Sequence, residues 1–286
     1  SKVEVLSGAS STLWGSEAIG GVVNVVPNKG GKDEFEISQE FGTNHTFREK
    51  LSLRRSFGYA EVSKTNSDGF DAHDDYDNLS STGDFVFNPS DSLHLEYDYL
   101  FNQTRAGVNE PPYFFGGKLI EDGDSVGDRR EYRLFHSGVT AVLDVTDSVV
   151  FKSKAGWTDS DRRFLFLPDY EYDFYSDGTY HGNDFILQNQ VSIKHNDHLT
   201  TSFGHVYERQ WYELETLGES DQSDVYSNDF FIEETVDIDN LHLITSIREN
   251  THESSKSRPT FDISGVVDIP TISTKLPSHF GTGYRS

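Results

Sequence analysis

Apolar and polar residues alternate along most of the chain from about residue 33 onward, and no segment shows a convincing helical period. Between positions 93 and 101, every odd position is Leu, Tyr or Phe, whereas His94, Glu96 and Asp98 occupy even positions. Similar alternation occurs near 47–54, 149–158 and 185–194. Successive side chains of a β-strand point to opposite faces. The pattern therefore predicts strands with one apolar and one polar face.

The lengths of the connections help to choose between two architectures that both show such alternation. Tight turns are predicted at 56–58, 88–91, 144–147, 196–198 and 237–239. Longer polar loops are predicted between them, at 67–78, 105–129, 160–183 and 213–227. Short turns at one end and long loops at the other are typical of outer-membrane barrels, and strands of about 10–14 residues are long enough to cross the hydrocarbon layer. A soluble β-sandwich alternates in the same way, so periodicity alone leaves it open.

The beginning of the chain has a different pattern. An apolar run at Val3–Leu6 is followed by glycine-punctuated sequence and by a β-branched run at 22–26. The glycine pair Gly20 and Gly21 permits close approach of the backbone just before the second run. The segment predicts a strand, a tight turn, a short helical turn and a second strand, which is a small α/β motif.

Composition excludes several classes of protein. Only 34% of the residues are hydrophobic, and no window approaches 18 consecutive apolar residues, so helical membrane spans are not expected. The 21 Phe and 14 Tyr suit the aromatic girdles of a barrel, although an aromatic-rich sandwich would contain them too. A net charge of −24 argues against nucleic acid as a partner. The absence of Cys rules out disulfides and thiolate metal sites.

No catalytic motif is present, and we expect the protein not to be an enzyme. An acidic segment contains Asp71, Asp74, Asp75 and Asp77, whose carboxylates suit a hard cation such as Ca²⁺. Their spacing is not that of an EF-hand, and solvated loop charge is the favoured interpretation. No resident cofactor is expected beyond this calcium hypothesis.

Arginine and aromatic residues accumulate near the predicted long loops of this acidic chain. We interpret them as candidate ligand-binding residues, because charge, stacking and cation–π contacts suit an anionic, ring-bearing ligand. The alternative, equally open, pairs the arginines with neighbouring Asp residues and lipopolysaccharide phosphates and assigns the aromatic residues to an interface girdle. The candidates are Arg105, Arg129, Arg130, Arg162, Arg163, Tyr113, Tyr170 and Tyr172.

The glycine-punctuated beginning resembles the end of the plug domain of TonB-dependent outer-membrane receptors, which has the form V-L-x-G-x-x-S-x-L-Y-G-x-x-A-x-G-G-V-I-N-I. Three positions depart from the family, namely Ser7, Ala9 and Trp14, and the first of these puts one plug–barrel ion pair in doubt. The segment 279–286 resembles the family's S-x-G-T-x-Y-R-A-P segment. The matching plug positions include Gly8, Gly15, Gly20, Gly21 and Asn24.

The resemblance implies an all-β fold: residues 1–30 would be the C-terminal part of an α/β plug, and residues 31–286 the first part of an antiparallel transmembrane β-barrel. The alternating segments and turns give about 13 strands, whereas the resemblance implies that a complete barrel of this family has about 22. A sheet without closure has unpaired edges, so we expect these residues alone not to form a competent transporter.

The function that the resemblance implies is active import across the bacterial outer membrane. A ferric siderophore is the favoured cargo, with cobalamin as the alternative and iron present only as part of the cargo. The implied partners of the full-length protein are the TonB complex, outer-membrane lipid and lipopolysaccharide, with no nucleic acid. A passive porin and a soluble β-sandwich binding or adhesion module are the alternatives from other classes.

Overall fold

The computed structural model describes residues 2–7, 21–26, 31–70, 74–108, 113–115, 118–120, 128–166, 176–216, 218–253, 257–272 and 274–282. The first two strands form a sheet of their own. β1 (Lys2–Ser7) pairs antiparallel with β2 (Gly21–Val26), and Glu4 lies opposite Asn24. Both predicted strands are therefore confirmed, and the predicted helical turn between them lies outside the described residues. The proposed boundary between plug and barrel at residue 30 stays a prediction.

The remaining described strands form one antiparallel sheet of thirteen, in which each strand pairs with its neighbours in chain order, and a separate small hairpin. The sheet begins with β3 (Glu34–Phe41), β4 (Phe47–Arg55), β5 (Gly58–Ser67), β6 (Tyr76–Ser90) and β7 (Leu93–Gly107). The hairpin consists of β8 (Tyr113–Phe115) and β9 (Lys118–Ile120). The sheet continues with β10 (Arg129–Thr146), β11 (Val149–Phe166), β12 (Ser176–Asn196), β13 (Leu199–Thr216) and β14 (Glu219–Ile238). It ends with β15 (Leu241–His252), β16 (Arg258–Ile269), a 3₁₀ turn at Pro270–Ile272 and β17 (Thr274–Gly281).

The connections alternate between short and long over most of the sheet. Two-residue turns lie at 56–57, 91–92, 147–148, 197–198 and 239–240. All five predicted turns are thus confirmed to within one or two residues. The predicted strand count is also confirmed. Because the described strands of this region form one sheet rather than two packed sheets, the β-sandwich alternative is wrong.

One predicted loop is wrong, and another is shorter than expected. The stretch 213–227 is almost entirely strand, because β13 and β14 pair as far as Thr216 and Glu219. Similarly, β11 and β12 extend the sheet into the predicted loop at 160–183. These strand ends lie beyond the continuous apolar segment of each strand, where charged and polar residues occur on both faces. Without an apolar face there is no alternation, and the sequence of a strand cannot be told from that of a loop.

The register gives the sheet two chemically different faces. Directly opposed residues share a face, and the row from Tyr97 through Val139, Ala155 and Leu187 to Tyr207 is apolar. We call this side the apolar face and the other side the polar face. On the apolar face the apolar residues run from Leu93 to Phe101 on β7 and from Phe185 to Ile193 on β12. Nine residues extend about 30 Å along a strand, which approaches the thickness of a hydrocarbon layer.

Burial in this sheet is inverted relative to a water-soluble domain. Large side chains of the apolar face are exposed, including Val139 at 46% and Ile247 at 64% of their full accessible surface. Val206 is the only fully buried hydrophobic residue among those described, whereas most buried side chains are polar. In one of these buried contacts, Arg248 donates to Asp229 at 2.6 Å. An exposed apolar face of this extent requires an apolar surrounding, and lipid provides one.

We expect an added charge to destabilise the protein more on the apolar face than on the polar face. Val139→Arg places a cation in the middle of the apolar face, which costs about 2–4 kcal/mol at the centre of a bilayer. Thr140→Arg places the same side chain on the polar face and is expected to cost less than about 1 kcal/mol. Urea unfolding of the full-length protein in lipid vesicles measures both. Equal losses in the two variants would contradict the assignment of the faces.

Close packing around a turn glycine gives a second prediction. A Cβ at Gly58 would lie 2.5 Å from the backbone oxygen of Asp84, whereas a Cβ at Gly178 would meet nothing closer than 3.8 Å. We expect Gly58→Ala to lower the free energy of unfolding by about 1–3 kcal/mol, because the backbone must shift. The control Gly178→Ala should change it by less than about 0.5 kcal/mol. The same urea titration tests this, and an unchanged midpoint for Gly58→Ala would refute it.

Candidate functional site

Two arginine pairs near the long connections are divided between the faces by the pleat of the strands. Arg129 and Arg130 begin β10, and Arg162 and Arg163 lie near the end of β11. The register places Arg130 and Arg162 on the polar face, and Arg129 and Arg163 on the side of the apolar face, beyond its apolar residues. Adjacent arginines of identical chemistry therefore have different surroundings.

Most arginines on the outer part of the apolar side are neutralised by carboxylates on neighbouring strands. Arg163 donates to both carboxylate oxygens of Asp177, at 3.1 and 2.9 Å. Arg105 lies 3.3 Å from Glu131. Arg209, which sequence analysis did not single out, donates to Asp224 at 2.9 and 2.5 Å, and this pairing lowers the pKa of the Asp224 carboxyl. Arg129 is exposed at the start of β10, opposite Gly107 and Leu165.

The polar-face arginines contact aromatic rings instead of carboxylates. Tyr132, Arg162 and Tyr180 lie directly opposite one another on three neighbouring strands. The Arg162 guanidinium carbon is 5.4 Å from the ring centre of Tyr132 and 5.7 Å from that of Tyr180. One row further out, the same atom of Arg130 lies 5.9 Å from the ring centre of Phe164. Both are cation–π contacts, which hold each guanidinium over a ring without cancelling its charge.

A small pocket adjoins this row. The rings of Tyr180 and Tyr212 stack with centres 5.9 Å apart, and next to them lies a cavity of about 220 Å³. Its wall includes Gly182, where a Cβ would lie 3.0 Å from the Tyr180 ring and 3.3 Å from the hydroxyl of Ser160. Glycine at this position therefore lets the ring of Tyr180 lie close to the sheet. We call Arg130, Tyr132, Arg162, Phe164, Tyr180 and Tyr212 the arginine–tyrosine cluster.

The inner end of the pocket carries a carboxylate. Asp184 is half-buried, and its Oδ1 atom has no hydrogen-bond partner. It lies opposite Thr158 and Gln210, and all three line the pocket. Thr158 is in turn 2.9 Å from Nδ1 of His136. The pocket therefore offers hydroxyl, amide and carboxylate groups beneath a cationic, aromatic rim, a combination suited to binding a polar ligand without covalent chemistry.

The structure brings together two of the predicted arginines and adds residues that sequence analysis missed. Tyr132, Tyr180 and Tyr212 were missed because only the pairing of β10 to β13 shows that they share a face with Arg162. Of the predicted aromatic candidates, Tyr113 lies in β8, and nothing is described of its side chain. Tyr170, Tyr172, Gly8, Gly15 and Gly20 lie outside the described residues. Gly21 and Asn24 lie in β2.

The predicted calcium site stays a prediction. Among the described residues, no group of three or more His, Asp or Glu side chains is placed to hold a metal ion. Asp74 accepts a hydrogen bond from the backbone of Phe70 at 2.9 Å, and Asp77 lies near Asn66 and Lys64. Asp71 lies outside the described residues. Within the part of the chain that is described, none of the helices has the length and apolar character of a membrane-crossing helix.

Comparison with known proteins shows the fold. No protein-family model and no curated protein matches the chain. Solved structures do match. The ferric yersiniabactin uptake receptor FyuA from Yersinia pestis is 16% identical with a TM-score of 0.66, and the match covers 98% of this chain and 47% of that one. The siderophore receptor PiuA from Acinetobacter baumannii is 14% identical with a TM-score of 0.68, and the match covers 98% of this chain and 50% of that one.

A complex of P. aeruginosa FpvA with a ferric pyoverdine matches at 13% identity and a TM-score of 0.74, over 93% of this chain and 44% of that one. This chain therefore spans about half the length of the structures that it matches. They are barrels of TonB-dependent receptors, and the likeness shows that the chain has their fold. The transmembrane β-barrel that the sequence resemblance implied is confirmed.

Proposed function

We propose that the protein containing this chain is a TonB-dependent receptor that imports an anionic ferric siderophore across the bacterial outer membrane, and that the arginine–tyrosine cluster contacts this cargo. The observation that carries the proposal is the position of Arg162. Its exposed guanidinium lies between two tyrosine rings on the polar face and has no carboxylate within 4.0 Å among the described residues. In a chain with twice as many acidic as basic residues, such a charge is available for a ligand.

The chemistry of the cluster suits a chelate with aromatic donor groups. Catecholate and phenolate chelates of ferric iron carry negative charge on oxygen atoms attached to flat rings. A guanidinium donates hydrogen bonds to such oxygens, and the faces and hydroxyls of the tyrosines contact the rings. Yersiniabactin and pyoverdine are the iron ligands named for two of the similar structures. Others with the same fold are a copper transporter and a peptide importer, so the fold itself does not select the cargo.

The proposed work of the protein is conformational. Cargo binds at the long-loop end of the polar face, and energy supplied through TonB rearranges the plug so that the cargo passes through the barrel. The cluster contributes recognition only. Its contacts are exposed cation–π and stacking contacts, each contributing about 0.5–1.5 kcal/mol, so a bound chelate remains releasable.

The adjacent arginines provide a matched test of this proposal. In the full-length protein, we expect Arg162→Gln to weaken binding of a trianionic ferric tris-catecholate about tenfold or more, because a hydrogen bond to a charged group contributes about 1.5–3 kcal/mol. Arg163→Gln removes the same charge from the next residue, which is already paired with Asp177 on the other face, and should change the affinity less than about twofold. Titration followed by tryptophan fluorescence gives both dissociation constants.

The same titration is repeated with a neutral ferric tris-hydroxamate and with cobalamin. Saturable binding of cobalamin alone would move the assignment to cobalamin import. If the unmodified protein binds none of the three, the import proposal fails. Equal losses of affinity in the two arginine variants would remove the arginine–tyrosine cluster from the binding site but leave the import function in place.

A further inference from the structure

Among the polar-face cations whose side chains the structure describes, four have no carboxylate partner, and all four lie on β10 and β11. They are Arg130, Arg162, Lys152 and Lys154. Five further cations of this face, whose side chains are described, are paired. Arg54 lies 2.6 Å from Glu34, Lys50 lies 2.9 Å from Glu36, and Arg48 lies 3.3 Å from Glu40. Lys194 and Arg248 are paired with Asp197 and Asp229.

Three of these cations, Lys152, Lys154 and Arg162, lie towards the two ends of the polar face of β11. Arg130 lies on β10, opposite Phe164 at the outer end of β11. Lys152 and Lys154 follow the short turn at 147–148 and are exposed on the polar face, beside Gln190 and Gln188 of β12. Arg162 lies eight positions beyond Lys154 on the same face, which corresponds to about 26 Å at 3.3 Å per residue. We call the polar-face residues of β11 from Lys152 to Arg162 the β11 track.

The middle of the track carries no charged residue of its own. Its residues there are Gly156, Thr158 and Ser160, which provide two hydroxyl groups and no carboxylate. Acidic groups lie on the neighbouring strands at this level. Asp184 lies opposite Thr158, Glu208 lies opposite Ile186 of β12, and Asp98 lies 3.3 Å from His136.

These acidic groups flank the centre of the track. At its inner end, Asp144 lies opposite Val150 and Glu96 lies opposite Thr140, both on the polar face, and Glu96 also lies 3.1 Å from His94. An anion on this face meets the arginines at the outer end, carboxylates flanking the middle, and the two adjacent exposed lysines near the short turns. Two separated attractive regions allow an ion to leave the first without being held permanently, as in multi-site conduction.

We propose that the β11 track is a path along which an anionic cargo moves from the arginine–tyrosine cluster to the short-turn end of the barrel, with Lys152 and Lys154 as a second, inner anion subsite. This inference rests on the proposed import function, and it commits to a small anionic chelate as the occupant. The positive charge of this site, which complements an anionic cargo, is not a general property of the chain, because the chain as a whole carries 48 acidic and 24 basic residues. The competing occupant is a carboxylate of a plug segment outside this chain.

The first test measures the local potential without any cargo. The chain contains no cysteine, so Gln188→Cys introduces a single thiol directly opposite Lys154 in a cysteine-free version of the full-length protein. We measure the rates at which this thiol reacts with an anionic and with a cationic methanethiosulfonate. The ratio of the anionic rate to the cationic rate is then divided by the same ratio for a small uncharged model thiol in solution. We expect the anionic reagent to be favoured at least about threefold, since clustered charge raises the local concentration of counter-ions.

The advantage of the anionic reagent should disappear in Lys152→Gln/Lys154→Gln and persist in the control Lys50→Gln/Lys64→Gln, which changes the net charge equally. A ratio at or below that of the model thiol in the unmodified protein would mean that other carboxylates already neutralise the two lysines. That result would overturn the inner subsite, whatever the protein transports.

The second test measures uptake. In cells producing the full-length protein, Lys152→Gln/Lys154→Gln should leave the dissociation constant of ferric tris-catecholate within about twofold while lowering its uptake at least about fivefold. Uptake of neutral ferric tris-hydroxamate should be unchanged, and the control double variant should behave like the unmodified protein. Heat-modifiable migration on a detergent gel confirms that each variant folds.

The outcomes separate the two proposals. Absence of chelate binding by the unmodified protein contradicts the proposed function, and the thiol rates still decide whether the track is electropositive. Normal binding with unchanged uptake of the anionic chelate, or with equal losses for the anionic and neutral chelates, contradicts the track and leaves the import function standing.

Discussion

The pairing of backbone groups in an unbroken antiparallel ladder is the constraint on which the rest of the structure depends. A strand in lipid has no water to satisfy its N–H and C=O groups, so each strand must hydrogen-bond to neighbours on both sides. Consecutive pairing from β3 to β17 provides this for every interior strand of the described sheet. Because the ladder also fixes the register, a shift of one residue on one strand would move its apolar residues to the polar face.

The same register creates the candidate site. A pair of adjacent arginines cannot act as one unit on a strand, since the pleat directs them to opposite faces. Arg163 meets Asp177 on one side, while Arg162 meets Tyr132 and Tyr180 on the other. The chemistry on the two faces differs accordingly: the outer part of the apolar side is largely neutralised by ion pairs, whereas β10 and β11 present unneutralised cations on the polar face.

Sequence and structure agree best where the surroundings differ most between the two faces. Within the apolar segments, alternation identified the strands and the short turns, because lipid on one side selects apolar residues at every second position. Beyond those segments charged and polar residues occur on both faces, as at Glu213 and Asp221, and the sequence lost its period although the strands continued. Gly218, with a φ of +84°, lies between β13 and β14, where a loop was expected.

The sequence by itself determined the strand class, the approximate strand count, the positions of the short turns and the two-faced pattern, because each of these follows from side-chain order along a single strand. It also carried the resemblance from which the barrel was expected. Only the tertiary structure decided which residues from different strands meet. The row of Tyr132, Arg162 and Tyr180 joins positions 30 and 18 residues apart, and it exists because three strands pair in one particular register.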